Sequence, residues 1–236
     1  MEVLLCSVEE PQLERCLKSI EEQIVPFTNI VHQANIVPYS KAHNEGLPKL
    51  KDDWCMMLAG DMILHSYAVE LSSHIIENDV NNIKTGAYLF GVYDTFLKQL
   101  WGGIGIYRSS TMKMLPFRDK NNFIDIHWGR RFEALGGELN NCHEHTLGTH
   151  FDKPDEYQVF RRFYVVGLKY NGSKVSRIHA ELGGLYNEIK YPLYLTAQKA
   201  MEFAAFKNGL YPGSHNIDFE KKMYEEFNAL QETCTS

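Results

Sequence analysis

What the chain lacks narrows its function before any motif is read. Its 236 residues carry five cysteines, at 6, 16, 55, 142 and 234, with no C-x-x-C pair. A disulfide framework or a zinc knuckle is therefore not expected, and a reducing compartment is. No apolar run approaches the roughly 20 residues of a membrane-spanning helix. The opening MEVLLCSVEE has neither a basic leader nor a small-residue cleavage site and is not read as an export signal. Basic residues are in deficit, 24 Lys plus Arg against 30 Asp plus Glu, for a formal charge of −6. A general nucleic-acid binder needs a basic footprint to neutralise phosphates, so that class is disfavoured, although a local basic pocket is not excluded. Repeats, low-complexity tracts and flexible linkers are missing too, and 44% hydrophobic with 23% charged residues rules out global disorder. These absences together predict a soluble cytoplasmic protein of one large or two small domains.

What is present is an alternation of short apolar runs and helical periods. Val3 to Cys6 reads as a buried strand. Pro11 then stands at a first-turn position, followed by Leu13, Cys16, Leu17, Ile20 and Ile24 at the spacing of one helix face. Ile30-Val31 and Ile36-Val37 read as short strands, Lys41 to Gly46 as a Gly-terminated stretch, and Cys55 to Ala59 as a buried strand ending at Gly60-Asp61. Ser66 is placed to cap a helix through Glu77, with Ala68, Leu71, Ile75 and Ile76 inward. Thr85 to Tyr93 reads as a strand, Trp101 to Tyr107 as a glycine-interrupted segment, and Ile126 to Leu135 as a helix stopped at Gly136-Gly137. Helices are expected near 155–169, 192–208 and 217–230. This rhythm predicts an α/β fold whose mixed, mostly parallel sheet is flanked by helices. Residues 1–150 would form the sheet domain and 151–236 a helical extension packed on it.

Ligands of such sheets bind beyond the carboxyl ends of the strands, so the residues after Cys6 and after Ala59 draw attention. Asp61, directly after a buried strand, could hold a divalent cation bridging phosphate oxygens, or simply occupy a Gly-Asp turn. In Asn141-Cys142-His143-Glu144-His145-Thr146-Leu147-Gly148-Thr149-His150 the histidines are dense enough to ligate a metal, yet they alternate as in a strand and match no helical zinc motif. Asp125 opens a helix, where exposed amides already account for a carboxylate; as a general base it would need to reach its proton. Lys41, His43 and Asn44 could line an anion site, or Asn44-Glu45-Gly46 could be turn chemistry. Arg161, Arg162 and Lys169 read as a solvated helix face, and Tyr157, Phe160, Phe163 and Tyr164 as core. Gly102-Gly103 with Gly105 has the wrong spacing for a dinucleotide fingerprint.

Taken in order, four blocks resemble the GT-A glycosyltransferases, in particular the family 2 group. Val3 to Pro11 with Leu13 to Ile20 looks like the family's first strand and "LxxCLxSI" helix. Ala42 to Leu47 looks like A-R-N-x-G-L, and Trp54 to Leu64 like the strand ending in D-x-D. Gly102-Gly103 through Arg108, Phe117, and Asp125 to Gly136 is similar to the acceptor-side pattern. The resemblance covers residues 1 to about 150. It departs from the family at Ala59, which replaces the first Asp of D-x-D, at His43 for Arg, at Ile124 for Glu and at His127 for a second Asp.

The resemblance implies an inverting, metal-dependent glycosyltransferase using Mn2+ or Mg2+, with Asp61 and His150 as metal ligands and His145 as the fallback. Asp125 matches the catalytic base. Ser7, Val8 and Glu9 would contact base or ribose, and His43, Asn44, Gly60 and Asp61 the remainder of the donor. Trp101, Gly102 and Gly103 would wall the acceptor side, an indole face stacking well on sugar C–H surface. The implied donor is a nucleoside-diphosphate sugar, a UDP-sugar first. The acceptor would be a glycan or another hydroxyl, a nucleic acid included, and the aromatic C-terminal helices could supply a homo-oligomer interface. The alternative is a catalytically inactive GT-A-like domain that binds a nucleotide or glycan as a scaffold. A hydrolase built on His143, Glu144, His145 and His150 ranks third.

Overall fold

The computed structural model describes residues 1–79, 83–118, 124–169, 173–207 and 217–233. They divide into two compact units, Met1–Lys153 and Pro154–Ser236. The first runs β1 (Glu2–Ser7), α1 (Leu13–Glu21), β2 (Ile30–Ala34), α2 (Tyr39–Gly46), a 3-10 turn at Leu47–Lys49, β3 (Trp54–Ala59), β4 (Met62–Leu64), α3 (Ala68–Asn78), β5 (Thr85–Asp94), β6 (Gln99–Arg108), α4 (Ser109–Met114), α5 (Ile124–Glu133) and β7 (Glu138–His150). The second holds α6 (Glu156–Lys169), α7 (Ser173–Ile189), α8 (Pro192–Lys207) and α9 (Ile217–Thr233).

One mixed sheet organises the first unit, in the order β2-β1-β3-β6-β5-β7-β4. β1 pairs in parallel with β2 and β3, and β5 with β7; the β3–β6, β5–β6 and β4–β7 pairs are antiparallel. The unbroken apolar run of β1 follows from burial on both faces. Val3 and Leu5 face one core with Met56, Leu58, Cys16 and Ile20. Leu4 and Cys6 face the other with Cys55, Met57, Ala42, Met112 and Trp128. Strand periodicity thus makes three layers, with α1 and α3 on one face and α2, α4 and α5 on the other.

Local expectations fail where a neighbour satisfies the backbone in another way. The α1 helix stops at Glu21, and Ile24 lies beyond it, 64% exposed. Ile36-Val37 is not a strand: Asn35 takes a left-handed φ of 56° and α2 starts at Tyr39, so Lys41 to Gly46 is helix and Asn44 to Gly46 no turn. Ser66 does not cap α3, because Gln23 Oε1 accepts the Val69 N–H at 3.2 Å. Met62 to Leu64 is a short strand beyond the Gly60-Asp61 turn that the apolar pattern does not predict.

In the second unit Phe160 and Phe163 of α6 are buried as expected, Phe160 packing on Phe227 of α9 at 4.8 Å between ring centroids. Arg161 is not a solvated charge: its Nε lies 2.5 Å from Oε2 of the buried Glu220. The Lys169 side chain lies outside the described residues. α7 was not anticipated at all. Among the described residues no helix is long and apolar enough to cross a membrane.

Candidate functional site

The register Cys6↔Ala59 sets the carboxyl ends of β1 and β3 side by side. The chain beyond them is held tightly. The Val8 N–H donates to Glu10 Oε2 at 2.5 Å, and Glu9 between them takes a left-handed φ of 48°. Gly60 lies against this turn so closely that a Cβ there would sit 2.8 Å from Glu10 Oε2 and 2.9 Å from Ser7 Cβ. Only a residue without a side chain lets the two strand ends approach this way. The Tyr39 hydroxyl, at the start of α2, reaches 3.4 Å from both the Cys6 and Leu58 carbonyls. Burial first, and then the nearby Cys6, Asp61 and Glu10 charges, push this phenol well above its ordinary value. The Cys16 thiol is pushed up to about 12 by burial and by the Asp61 and Glu10 carboxylates. The edge is thus acidic, a field that favours a cation.

Asp61 follows Gly60 and is two-ninths exposed, with a relative side-chain area of 22%. Two residues separate β3 from β4, and three Cα steps reach at most about 11 Å. Yet β4 pairs with β7 at the far end of the strand order. The sheet must therefore curl, and the register irregularities of β7 against β5, around Phe90, Gly91 and Tyr93, bend it. The curl brings His150, the last residue of β7, opposite both Met62 of β4 and Asp94 of β5. His150 Nε2 lies 3.2 Å from Asp61 Oδ2, and Nδ1 lies 3.2 Å from Oδ2 of the fully buried Asp94. The backbone pins the arrangement: Phe151 N–H reaches Asp61 O at 3.4 Å, and Thr95 N–H donates to His150 O at 3.1 Å. Thr95 Oγ1 also donates to Phe151 O at 2.9 Å, where Phe151 takes a left-handed φ of 61°.

A carboxylate oxygen and an imidazole nitrogen converging on one point form a donor pair suited to a divalent cation. Among the described residues no group of three or more His, Cys, Asp and Glu side chains is placed to hold a metal ion by itself. The pair alone would leave most of a cation's shell to other ligands. The fallback ligand His145 is not part of it: its Nε2 faces Glu144 Oε1 at 3.6 Å and its side chain is 42% exposed. His143 is elsewhere again, its ring lying where a Gly102 Cβ would come within 2.5 Å of Nε2. The three histidines and Glu144 therefore do not assemble into a hydrolase centre.

Other anticipated residues divide between the site and the packing. Ser7 ends β1 buried, its Oγ 2.8 Å from His32 Nε2. His43 faces inward: its Nδ1 lies 2.8 Å from the Tyr39 carbonyl, and its ring packs on Tyr39 and Phe117. Burial pushes its imidazole down to about 4, so it is neutral near pH 7 and offers no charge to a phosphate. Asn44 spends its amide on Phe117, donating to its carbonyl at 2.8 Å and accepting its N–H at 2.9 Å. Lys41 lies 3.8 Å from Glu45 one turn on. Both His43 and Asn44 are thus engaged in hydrogen bonds within the fold. Trp101 packs partly buried on one sheet core, while Gly102 and Gly103 are exposed beside it.

Asp125 is exposed in the first turn of α5 and lines a cleft with Tyr107, Ile126, Trp128, Arg130 and Glu133. Neither Asp61 nor His150 lines that cleft. Its charge acts, after burial, to raise the Tyr107 phenol further. Sequence reasoning missed Glu10, Tyr39 and Asp94. Asp94 carried one signal, a carboxylate closing a strand, the same signal that marked Asp61.

No family model and no curated protein matches the sequence. Solved structures do match the fold. The mannosyltransferase PcManGT from Pyrobaculum calidifontis, in complex with GDP-Man and Mn2+, is 12% identical over 97% of this chain and 79% of its own, with a TM-score of 0.53. S. aureus TarS 1-349 in complex with UDP-GlcNAc is 11% identical over 86% of this chain and 81% of its own, with a TM-score of 0.50. The complex of the same protein with UDP gives 12% identity and 0.50. The fold is of the GT-A glycosyltransferase type, a mixed α/β sheet flanked by helices with further helices after it.

Proposed function

We propose that this protein is an inverting glycosyltransferase that moves a sugar from a nucleoside-diphosphate donor to an acceptor hydroxyl with a divalent cation, Mn2+ or Mg2+. The observation that carries the reading is the convergence of Asp61 and His150 Nε2 at the carboxyl edge of a GT-A-type sheet, with Asp94 behind the imidazole. Asp61 and His150 would hold the cation, which when bound neutralises charge developing on the departing nucleoside diphosphate. Ser7, Val8 and Glu9, at the end of β1 and next to Gly60, would receive base and ribose. Asp125 would take the proton of the acceptor hydroxyl as it attacks the anomeric carbon from the face opposite the leaving group. Trp101, with exposed Gly102 and Gly103, would wall the acceptor side. The nucleotide-sugar ligands of the fold neighbours support the donor class. A UDP-sugar is the first donor to try.

The test is transfer from a panel of UDP- and GDP-sugars with Mn2+ to simple glycan acceptors, for wild type and Asp125→Asn. The variant is expected to lose at least 100-fold in turnover while binding donor nearly normally, the usual worth of a positioned base. Full turnover by Asp125→Asn would overturn the base assignment. A second reading, a scaffold that binds nucleotide or glycan without transferring it, is favoured by one feature. Ala59 stands where the motif has its first Asp, and among the described residues no group of three or more His, Cys, Asp and Glu side chains is placed to hold a metal ion. Nucleotide binding with no transfer or hydrolysis across the panel would select the scaffold.

A further inference from the structure

We infer that Asp94 is a positioning residue: it fixes the tautomer and ring orientation of His150, so that Nε2 presents a lone pair toward Asp61. The inference rests on reading Asp61 and His150 as the cation site and adds the residue that makes the imidazole a ligand.

A neutral imidazole carries one N–H, and which nitrogen bears it depends on what faces each. Asp94 is completely buried at the last position of β5, and a carboxylate oxygen facing an imidazole N–H is an acceptor. One oxygen, Oδ1, already accepts the Leu97 N–H at 2.7 Å, which locks the carboxylate plane. The other, Oδ2, lies 3.2 Å from His150 Nδ1. Both ring nitrogens face a carboxylate at 3.2 Å. Asp94 is fully buried, however, and Asp61 is 22% exposed to water, so in the neutral ring the proton is assigned to Nδ1, which leaves the Nε2 lone pair toward Asp61. Two acceptors facing one another at that distance repel unless a proton or a cation lies between them. A carboxylate behind a ligating imidazole also raises its basicity and holds the ring against rotation. The sheet enforces the geometry, because Asp94 and His150 are cross-strand partners in β5 and β7.

Asp94→Asn separates this role from mere packing. The amide is nearly isosteric, and its oxygen can keep accepting from Leu97 N–H while its NH2 turns to His150 Nδ1. That would make Nδ1 the acceptor and drive the ring proton to Nε2, where it points at Asp61 and occupies the lone pair, the same wrong-tautomer logic known for Asp→Asn in a catalytic triad.

The experiment uses the full chain with 15N-labelled histidine and two-bond 1H–15N correlation spectra, recorded without metal where His150 is neutral and assigned with His150→Gln. Free Mn2+ is measured alongside by electron paramagnetic resonance in the presence of UDP or GDP. Wild type is expected to show Nδ1 protonated. Asp94→Asn is expected to show Nε2 protonated and a 10–100-fold weaker Mn2+ affinity, the usual cost of losing such a partner. A wild-type spectrum with the proton on Nε2 overturns the inference, and it does so even if Asp94→Asn fails to fold. An Asp94→Asn protein with unchanged tautomer and affinity overturns it as well. Wild type that binds no Mn2+ with either nucleotide overturns instead the cation reading beneath it.

Discussion

A histidine two-thirds of the way along a helix can be a ligand or a piece of core, and His43 is core. Its ring is 2% exposed and burial holds it neutral, down to about 4 from an ordinary 6.5. The unfolded chain therefore takes up a proton that the folded one refuses between those values. The stability His43 contributes is complete above pH 6.5 and is lost as pH falls through 4, an amount on the order of 3 kcal/mol. Urea melts at pH 7.5 and pH 4.5 are expected to show this drop in wild type and a smaller one in His43→Gln, which can still donate to the Tyr39 carbonyl. An equal drop in both would place the pH dependence elsewhere, His32 and His65 being the next groups whose burial acts in the same direction. The expected meeting of residues 61 and 150 is observed at 3.2 Å. Asp94 was not legible, because a carboxylate ending a strand acquires meaning only from the strand beside it, and the β5–β7 register is not written in local pattern. His43 and Asn44 show the complementary limit: a polar side chain in a short helix does not reveal whether a carbonyl waits inside for it.

At the scale of elements, the strands announced themselves wherever burial on both faces forced an unbroken apolar run, as in β1 and β3. Gly60-Asp61 was readable as the end of such a run. The three residues of β4 were not, since so short a run shows no strand period of its own. α7 escaped because Gly183-Gly184 lies inside it, and glycine pairs weigh against a helix when only propensity is available. Two substitutions test how elements join. Gly60→Ala forces a Cβ into Ser7 and Glu10 at under 3.0 Å and is expected to cost about 1–3 kcal/mol, the range of overpacking. Unchanged denaturant stability would mean that the β1 and β3 ends are less closely apposed. Glu2 is buried on β1 and accepts the Lys51 and Asp52 N–H groups at 2.6 and 2.7 Å, and Asn29 Nδ2 at 3.0 Å. Glu2→Ala strands those donors, and a loss of about 2–4 kcal/mol is expected in the same melts; a loss under about 0.5 kcal/mol would show that water replaces the carboxylate freely.

For the whole molecule, the sequence pattern divides the chain between residues 150 and 151, and the structure has two compact units, Met1–Lys153 and Pro154–Ser236. The sheet's curl was not readable. It arises from bulges in a 13-residue strand, and it alone turns Asp61 and His150 from sequence-distant residues into neighbours. The proposed function depends on that curl, since it sets Asp61 beside His150 at the ends of their strands. A ligand that binds only the folded state raises its stability by mass action. The most direct measurement is the melting temperature of wild type and Asp61→Ala with UDP or GDP, each with and without Mn2+. Mn2+ and nucleotide together are predicted to raise the wild-type midpoint by several degrees more than either alone, with the joint effect abolished in Asp61→Ala. A wild-type midpoint that does not respond to the pair, or a response that survives in Asp61→Ala, would contradict the account.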